Sequence, residues 1–151
     1  MSWQIEKDPL EIMRKLLDDN WVSYEDAPKP YDIIVQNDPN DPKLRVDLNL
    51  GDIVIIKMDG AEMIRQRSNF QYFDRAFPIS IEFRTKVSRK RLRNMGRMIR
   101  AICSEHMHSF EGYQLIRLKE YMEMVEETLN IWKGVQRLQV EAAAICAEKS
   151  I

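Results

Sequence analysis

The residues best suited to chemistry lie between Asp52 and Lys86. Asp52 and Glu82 stand on separate predicted strands, and Lys86 follows Glu82 on the second of them. Two carboxylates on one cation, with a lysine two residues beyond the second acid, form an arrangement that hydrolyses phosphodiester bonds. Arg84 occupies the lysine position here, and arginine stays protonated and has a different geometry. We therefore expect the polar positions of this strand to form an ordinary solvent-facing half.

Two other segments hint at metal binding. His106 and His108 are the only histidines, but they fall at a predicted helix end, where positions two apart diverge and no Cys or acid set completes a site. His106 suits a helix C-terminus simply as a cation. Residues 37–42 are rich in Asp and Asn, yet two prolines and the missing Gly and closing Glu break the calcium-loop pattern. We expect no metal, no cofactor and no enzymatic activity.

Charge is distributed unevenly along the chain. Eight basic residues and no acid occur from Arg84 to Arg100. Like charges on successive helical turns repel each other, at a cost of roughly a few tenths of a kcal/mol per pair. Local stability alone therefore does not explain the pattern. The candidate partner-binding residues of this basic helix are Arg89, Lys90, Arg93, Arg97 and Arg100.

An acidic cluster offers a complementary surface. It follows the second helix in the sequence and comprises Glu120, Glu123, Glu126 and Glu127. We expect the basic helix to face an acidic protein surface, either this cluster on a neighbouring subunit or another protein. A solvated face and a nucleic-acid partner remain the alternatives. The aromatic residues Phe70, Tyr72 and Phe73 are further candidates for contact with a neighbour.

Length and composition indicate one domain over residues 1–151. The chain is 44% hydrophobic and 31% charged, with a formal net charge of -1. Cys103 and Cys146 follow no metal or redox spacing, so reduced thiols are expected, with a disulfide left open. No run reaches the roughly 18 apolar residues of a membrane span, and the N-terminus lacks an apolar signal region. We expect a soluble protein made in the cytoplasm.

The first half of the chain predicts a helix and two strands. Asp8 can cap a helix that has Pro9 at its first position and ends near Asn20. Residues 31–36 read as a strand, and residues 37–51 read as a loop. Residues 52–58 are almost continuously apolar, which is typical of a strand covered on both faces.

The second half predicts three further strands and the basic helix. Residues 61–77 lack a clean period and predict a long loop or an irregular hairpin arm. Residues 79–86 alternate as a strand, and Ser88 caps a helix that runs to about His106. Two alternating runs close the chain, with Gly134 marking a bulge. Residues 142–147 fit either strand or helix.

These elements predict a single α+β domain. Its order is α-β-β-β-α-β-β, with two helices and a mixed, mostly antiparallel sheet. In the fourth strand, alternation places Ile116, Leu118, Met122 and Met124 on one face. In the last strand it places Trp132, Leu138, Val140, Ala142 and Ala144 on one face.

The whole pattern resembles the tail terminator, or tail completion, proteins of long-tailed phages and related proviruses. The matching features are a short leading helix, residues 51–55, residues 69–72 and Asp74 leading into residues 79–81, Thr85 before an amphipathic helix, and two long closing strands. The resemblance covers nearly the whole chain. The departures are the Asp- and Pro-rich loop at 37–50 and the strongly basic second helix.

That resemblance implies a structural virion protein at the tail–neck region. Proteins of the family form hexameric rings that cap the tail tube, end its polymerisation and meet the head connector, while DNA only passes through the ring. The implied partners are further copies of the chain, the tube protein and the connector protein. The alternatives are a small nucleic-acid-binding or degenerate nuclease-like domain that uses the basic helix, and another neck or connector protein.

Overall fold

A computed structural model describes six ranges of the chain: residues 8–23, 26–37, 50–66, 72–108, 115–126 and 129–146. Side chains are described throughout these ranges except at positions 65, 66, 72–74, 126 and 142–146. The ranges hold two helices and six strands, in a single sheet. The α+β class and its predicted order are confirmed, and the irregular arm adds one short strand.

Both helices begin where the sequence predicts. Helix α1 spans Pro9–Asn20, and the carboxylate of Asp8 accepts a hydrogen bond from the amide of Leu10. Helix α2 spans Arg89–Glu105, and the hydroxyl of Ser88 accepts one from the amide of Arg91. These bonds satisfy amides that the first helical turn leaves unpaired.

The sheet has the strand order β1-β2-β4-β6-β5, and β3 pairs with β4. The strands are β1 (Asp32–Val35), β2 (Ile53–Met58), β3 (Met63–Gln66), β4 (Tyr72–Thr85), β5 (Leu115–Glu126) and β6 (Ile131–Cys146). Only β1 and β2 run parallel to each other. Residues 142–146, for which the sequence left strand and helix open, belong to strand β6.

Both helices cover the same face of the sheet. One hydrophobic cluster joins Leu17 of α1 and Met95 and Ile99 of α2 to the inward residues of the central strands. The apolar positions of α2 recur at the three- and four-residue spacing of one helical face, and all of them are buried: Leu92, Met95, Gly96, Ile99, Ile102 and Cys103. We call the opposite face, which carries neither of these helices, the open face.

The segment predicted as a loop or an irregular hairpin arm is a hairpin arm. Strand β3 pairs antiparallel with the first half of β4, from Met63 opposite Ala76 to Gln66 opposite Phe73. Strands β4 and β6 have 14 and 16 residues, so each reaches about 45–55 Å at ~3.3 Å per residue. The 17 residues of α2 reach only about 26 Å. The arm therefore extends past the end of the helical layer.

The predicted faces of β5 are wrong after Leu118. The pairing with β6 shifts between Leu118 and Tyr121, so that β5 carries one extra residue. An extra residue reverses which face each later side chain occupies. Tyr121 consequently packs against the core, while Met122 and Met124 are 40% and 45% exposed on the open face.

The bulge predicted at Gly134 is also absent. The register of β4 with β6 runs without interruption from Phe77 opposite Val140 to Thr85 opposite Trp132. Gly134 instead makes room for the ring of Phe83, because a Cβ atom there would lie 2.4 Å from Phe83 Cε2. Gly96 of α2 lies against the same ring: a Cβ atom added at Gly96 would lie 3.2 Å from Phe83 Cζ.

We predict that Gly134→Ala destabilises the protein. The added methyl would overlap the fully buried Phe83 ring, and overpacking of this kind costs about 1–3 kcal/mol. Gly96→Ala is the matched control, because its tight contacts are offset by about 1 kcal/mol of helix propensity. Urea unfolding of both variants tests the difference. Equal midpoints for the two variants would contradict the proposed slot for Phe83.

Candidate partner-binding surfaces

Glu123 on β5 meets the basic helix within one chain. Arg89 Nε lies 2.9 Å from Glu123 Oε2, and Arg93 Nε lies 3.2 Å from Glu123 Oε1. The hydroxyl of Tyr121 donates a further hydrogen bond to Oε1 at 2.8 Å. The bulge in β5 makes these contacts possible, because it turns Tyr121 and Glu123 toward α2. Two basic residues predicted to face a partner therefore share an acid of their own chain.

The electrostatics of this cluster keep it charged at neutral pH. Burial raises the pKa of Glu123, but hydrogen bonds from Arg89, Tyr121 and Arg93 outweigh burial and hold that pKa below its usual value. Burial and the adjacent Glu123 carboxylate raise the pKa of Tyr121 to about 12, so the phenol stays protonated as a donor. Because Arg89 and Arg93 are more than half exposed, each ion pair contributes only about 0–1 kcal/mol.

Gln136 links the bulge to α2. Its side chain is fully buried, and its amide nitrogen lies 3.5 Å from the carbonyl of Lys119 and 3.4 Å from that of Glu120. Arg100 Nη1 donates to Gln136 Oε1 at 3.2 Å. The guanidinium of Arg100 also lies 4.7 Å from the ring centre of Tyr121, a cation–π contact. Arg100 is thus another predicted partner residue with contacts inside its own chain.

The two remaining basic candidates, Lys90 and Arg97, make weaker contacts with the described part of their own chain. Lys90 Nζ lies 4.0 Å from a carboxylate oxygen of Asp26, and both side chains are largely exposed. Arg97 is exposed and donates to Asn94 Oδ1 at 3.3 Å. Within the described ranges, no carboxylate forms an ion pair with Arg97. Arg97 is therefore the member of the predicted set that is best placed for an external acid.

The other candidate residues, three aromatic and two acidic, lie wholly or partly outside the described residues. Phe70 and Glu127 lie outside the described residues. Tyr72, Phe73 and Glu126 have described backbone positions in β4 and β5, but not described side chains. Of the aromatic candidates, the structure places Tyr72 and Phe73 in the part of β4 that forms the arm.

The prediction of a solvent-facing half for β4 is wrong at its centre. Ser80 and Glu82 are only 3% and 6% exposed, although they lie on the open face. Lys57 Nζ donates a hydrogen bond to Glu82 Oε1, and Lys133 Nζ lies 3.6 Å from the same oxygen. Arg84 Nη2 lies 3.2 Å from Glu82 Oε2. Long cationic side chains from three adjacent strands converge on this carboxylate, which explains its burial.

Glu82 stays ionised despite that burial. Desolvation raises its pKa, but the hydrogen bond from Lys57 and the charges of Lys133, Lys57 and Arg84 outweigh it and leave the pKa below 4.5. Asp52, the other carboxylate considered for cation binding, pairs with Arg91 of α2 at 3.1 Å. Asp52 thus engages the helical side and Glu82 the open face, so the two cannot share one cation.

Strand register arranges the open face in rows. One row runs Ile34, Ile55, Glu82, Val135 and Met122 across all five main strands. Ile34, Ile53 and Ile55 form a second, smaller hydrophobic cluster on this face. The open face therefore combines a central group of cations, one buried acid, and exposed methionines at the β5 edge.

A groove lies on the helical side, between α2 and the segment that follows α1. Its volume is about 420 Å³. Apolar atoms of Val22, Met98 and Ala101 line it, and Asp26 and Glu105 lie at its rim. Arg97 also lines this groove. It is therefore an apolar recess bordered by charges of both signs.

In the described part of the chain, no set of three or more His, Cys, Asp or Glu residues could hold a metal ion. Burial raises the pKa of Cys103 to about 12, so its thiol stays protonated at neutral pH. Neither helix of the described ranges is long and apolar enough to cross a membrane.

Comparison with known proteins adds no assignment. No protein-family model matches the chain, and no curated protein matches it either.

We predict that Glu82→Gln lowers the free energy of unfolding at pH 7 by about 1–3 kcal/mol. The amide keeps the shape but leaves three cations uncompensated, and their partial exposure limits the cost. Because folding lowers the pKa of Glu82 from 4.5, its contribution is present above that pH and lost as pH falls through the folded-state value.

Chemical denaturation from pH 3 to pH 7 tests this prediction. The variant should lose part of the acid dependence that the parent shows. Asp18→Asn is the control, because Asp18 is 47% exposed on α1 and its replacement should change stability by less than about 0.5 kcal/mol. A Glu82→Gln variant as stable as the parent at pH 7 would refute the proposed role of the cation cluster.

Proposed function

We propose that this chain is a structural, ring-forming protein of the tail terminator type. In this role it caps a phage tail tube, ends tube polymerisation and joins the tail to the head connector. Copies of the chain, the tube protein and the connector protein are its partners, and DNA only passes through the ring. The same surfaces would also serve another neck or connector protein.

The observation that carries this proposal is the one-sided construction of the sheet. A sheet with apolar positions on both faces normally lies between two layers. Here both described helices cover one face. On the open face Ile53, Ile55 and Val135 are already buried, but Met122 and Met124 at the β5 edge are 40% and 45% exposed. A face that lacks a helical layer and exposes methionines at its edge is suited to contact with a neighbouring subunit.

The hairpin arm gives a second reason. Met63 and Ile64 of β3 are 54% and 64% exposed. Successive strand residues point to opposite faces, so both sides of the arm present apolar surface. An arm that projects beyond the helical layer with two apolar sides is suited to reach a neighbouring subunit.

Nucleic-acid binding is the second candidate function, and the charge of α2 favours it. The helix carries six basic residues, Arg89 to Arg100. The carboxylates that pair with them in the described ranges are Glu123, Asp52 and Asp26. The remaining positive charge could face phosphates, and binding would then fall steeply as salt rises.

We predict that the purified protein elutes from a sizing column well above its monomer mass of 17.9 kDa. Negative-stain electron microscopy should show closed rings, because an interface between two different patches closes into a ring or continues as a filament. Titration with double-stranded DNA at low and physiological salt separates the two candidates. A monomer with steeply salt-dependent DNA affinity would refute the ring and support the second candidate.

A further inference from the structure

The groove on the helical side is open among the described residues, with a volume of about 420 Å³. Val22 at its edge is 56% exposed, and Ala101 in its wall is exposed as well. Arg97 projects from the same helical face one turn before Ala101 and pairs with no carboxylate in the described ranges. Asp26 and Glu105 also line the groove, so a complementary segment would bring its acid to Arg97, away from those two carboxylates, and a flexible apolar side chain to the recess beside Ala101.

The β5 edge of the open face carries that combination. Glu120 is 72% exposed, and Met122 and Met124 are 40% and 45% exposed. Methionine side chains are unbranched and adapt to irregular apolar recesses. All three side chains lie on the open face, where Glu120 also reaches Arg137 at 3.4 Å.

The spacing of the two segments also agrees. Ala101 lies four positions after Arg97 in α2, which corresponds to a rise of about 6 Å along the helix axis. Met122 lies two positions after Glu120 in β5, which corresponds to a rise of about 6.6 Å along the strand. A strand laid along the helix could therefore place its acid on Arg97 and its methionine beside Ala101 at the same time.

We propose that the groove of one copy receives the β5 edge of a second copy, with Glu120 pairing with Arg97 and Met122 entering the recess. This inference rests on the proposed ring function and names the contact that builds the ring. The two patches differ, and they lie on opposite sides of the sheet. The contact is therefore heterologous, and its repetition generates a ring when the rotation closes.

Disulfide trapping tests the contact directly. The variant Ala101→Cys with Met122→Cys cannot close within one chain, because the two positions lie on opposite sides of the sheet and a disulfide needs Cα atoms within about 7 Å. Cys146→Ala removes one native thiol, and Cys103 is buried with a thiol that stays protonated at neutral pH. Mild oxidation with diamide should give a ladder of covalent multimers on a non-reducing gel.

The matched control moves one cysteine along the same strand. Arg117 faces the open side five residues before Met122 and is 53% exposed. Ala101→Cys with Arg117→Cys in the same background should stay largely uncrosslinked. Equal crosslinking of the two variants would overturn the proposed register.

A charge exchange provides an independent test. Arg97→Glu should weaken self-association about tenfold, because it places like charges across the interface. Arg97→Glu combined with Glu120→Arg should recover most of the loss. Lys90→Glu is the control, since Lys90 is 77% exposed on the same helix and does not line the groove. Sedimentation velocity measures association, and thermal unfolding verifies that each variant is folded.

The outcomes separate this contact from the proposed function. Rings seen by electron microscopy without specific crosslinking or charge rescue would refute the contact and leave the ring function standing. A parent protein that remains monomeric at its solubility limit would refute both. Crosslinking and rescue together would establish the contact.

Discussion

The extra residue in β5 between Leu118 and Tyr121 is the constraint on which the contacts of the helical side depend. It reverses the two faces of the strand, so that Tyr121 and Glu123 point toward α2 and Met122 points away. Gln136 holds the irregular backbone by approaching two carbonyls of the bulge. Without that reversal, Phe83 would lose its stacked neighbour Tyr121 at 6.1 Å, and Arg89 and Arg93 would lose their shared acid.

The same reversal shapes the open face. It brings Met122 and Met124 onto a surface whose centre consists of cations around one buried carboxylate. An isolated buried carboxylate would be costly, and here Lys57, Arg84 and Lys133 supply its compensation. The exposed apolar surface of the open face is therefore concentrated at its β5 edge, while the isoleucines nearer β1 and β2 are buried.

The sequence predicted the local elements well, because their signals lie within a few residues. Asp8 and Ser88 occur at cap positions, where side-chain oxygens satisfy free amides. The buried stripe of α2 follows directly from helical spacing. The polar Gln136 among Trp132, Leu138 and Val140 was the one available hint of the bulge. The role of Gln136 could not be inferred from the sequence, because the carbonyls that it contacts belong to another strand, β5.

The sequence by itself therefore determined both helices, the strands outside residues 61–77 and the α+β class. Only the tertiary structure decided the faces of β5, the burial of Glu82 and the pairing of Arg89 and Arg93 with Glu123. These features depend on the register between strands that are distant in the sequence. A shift of one residue exchanges the two faces of a strand, and no local pattern records that shift. The excess of basic charge on α2 was visible in the sequence, but the partial neutralisation of that charge required the fold.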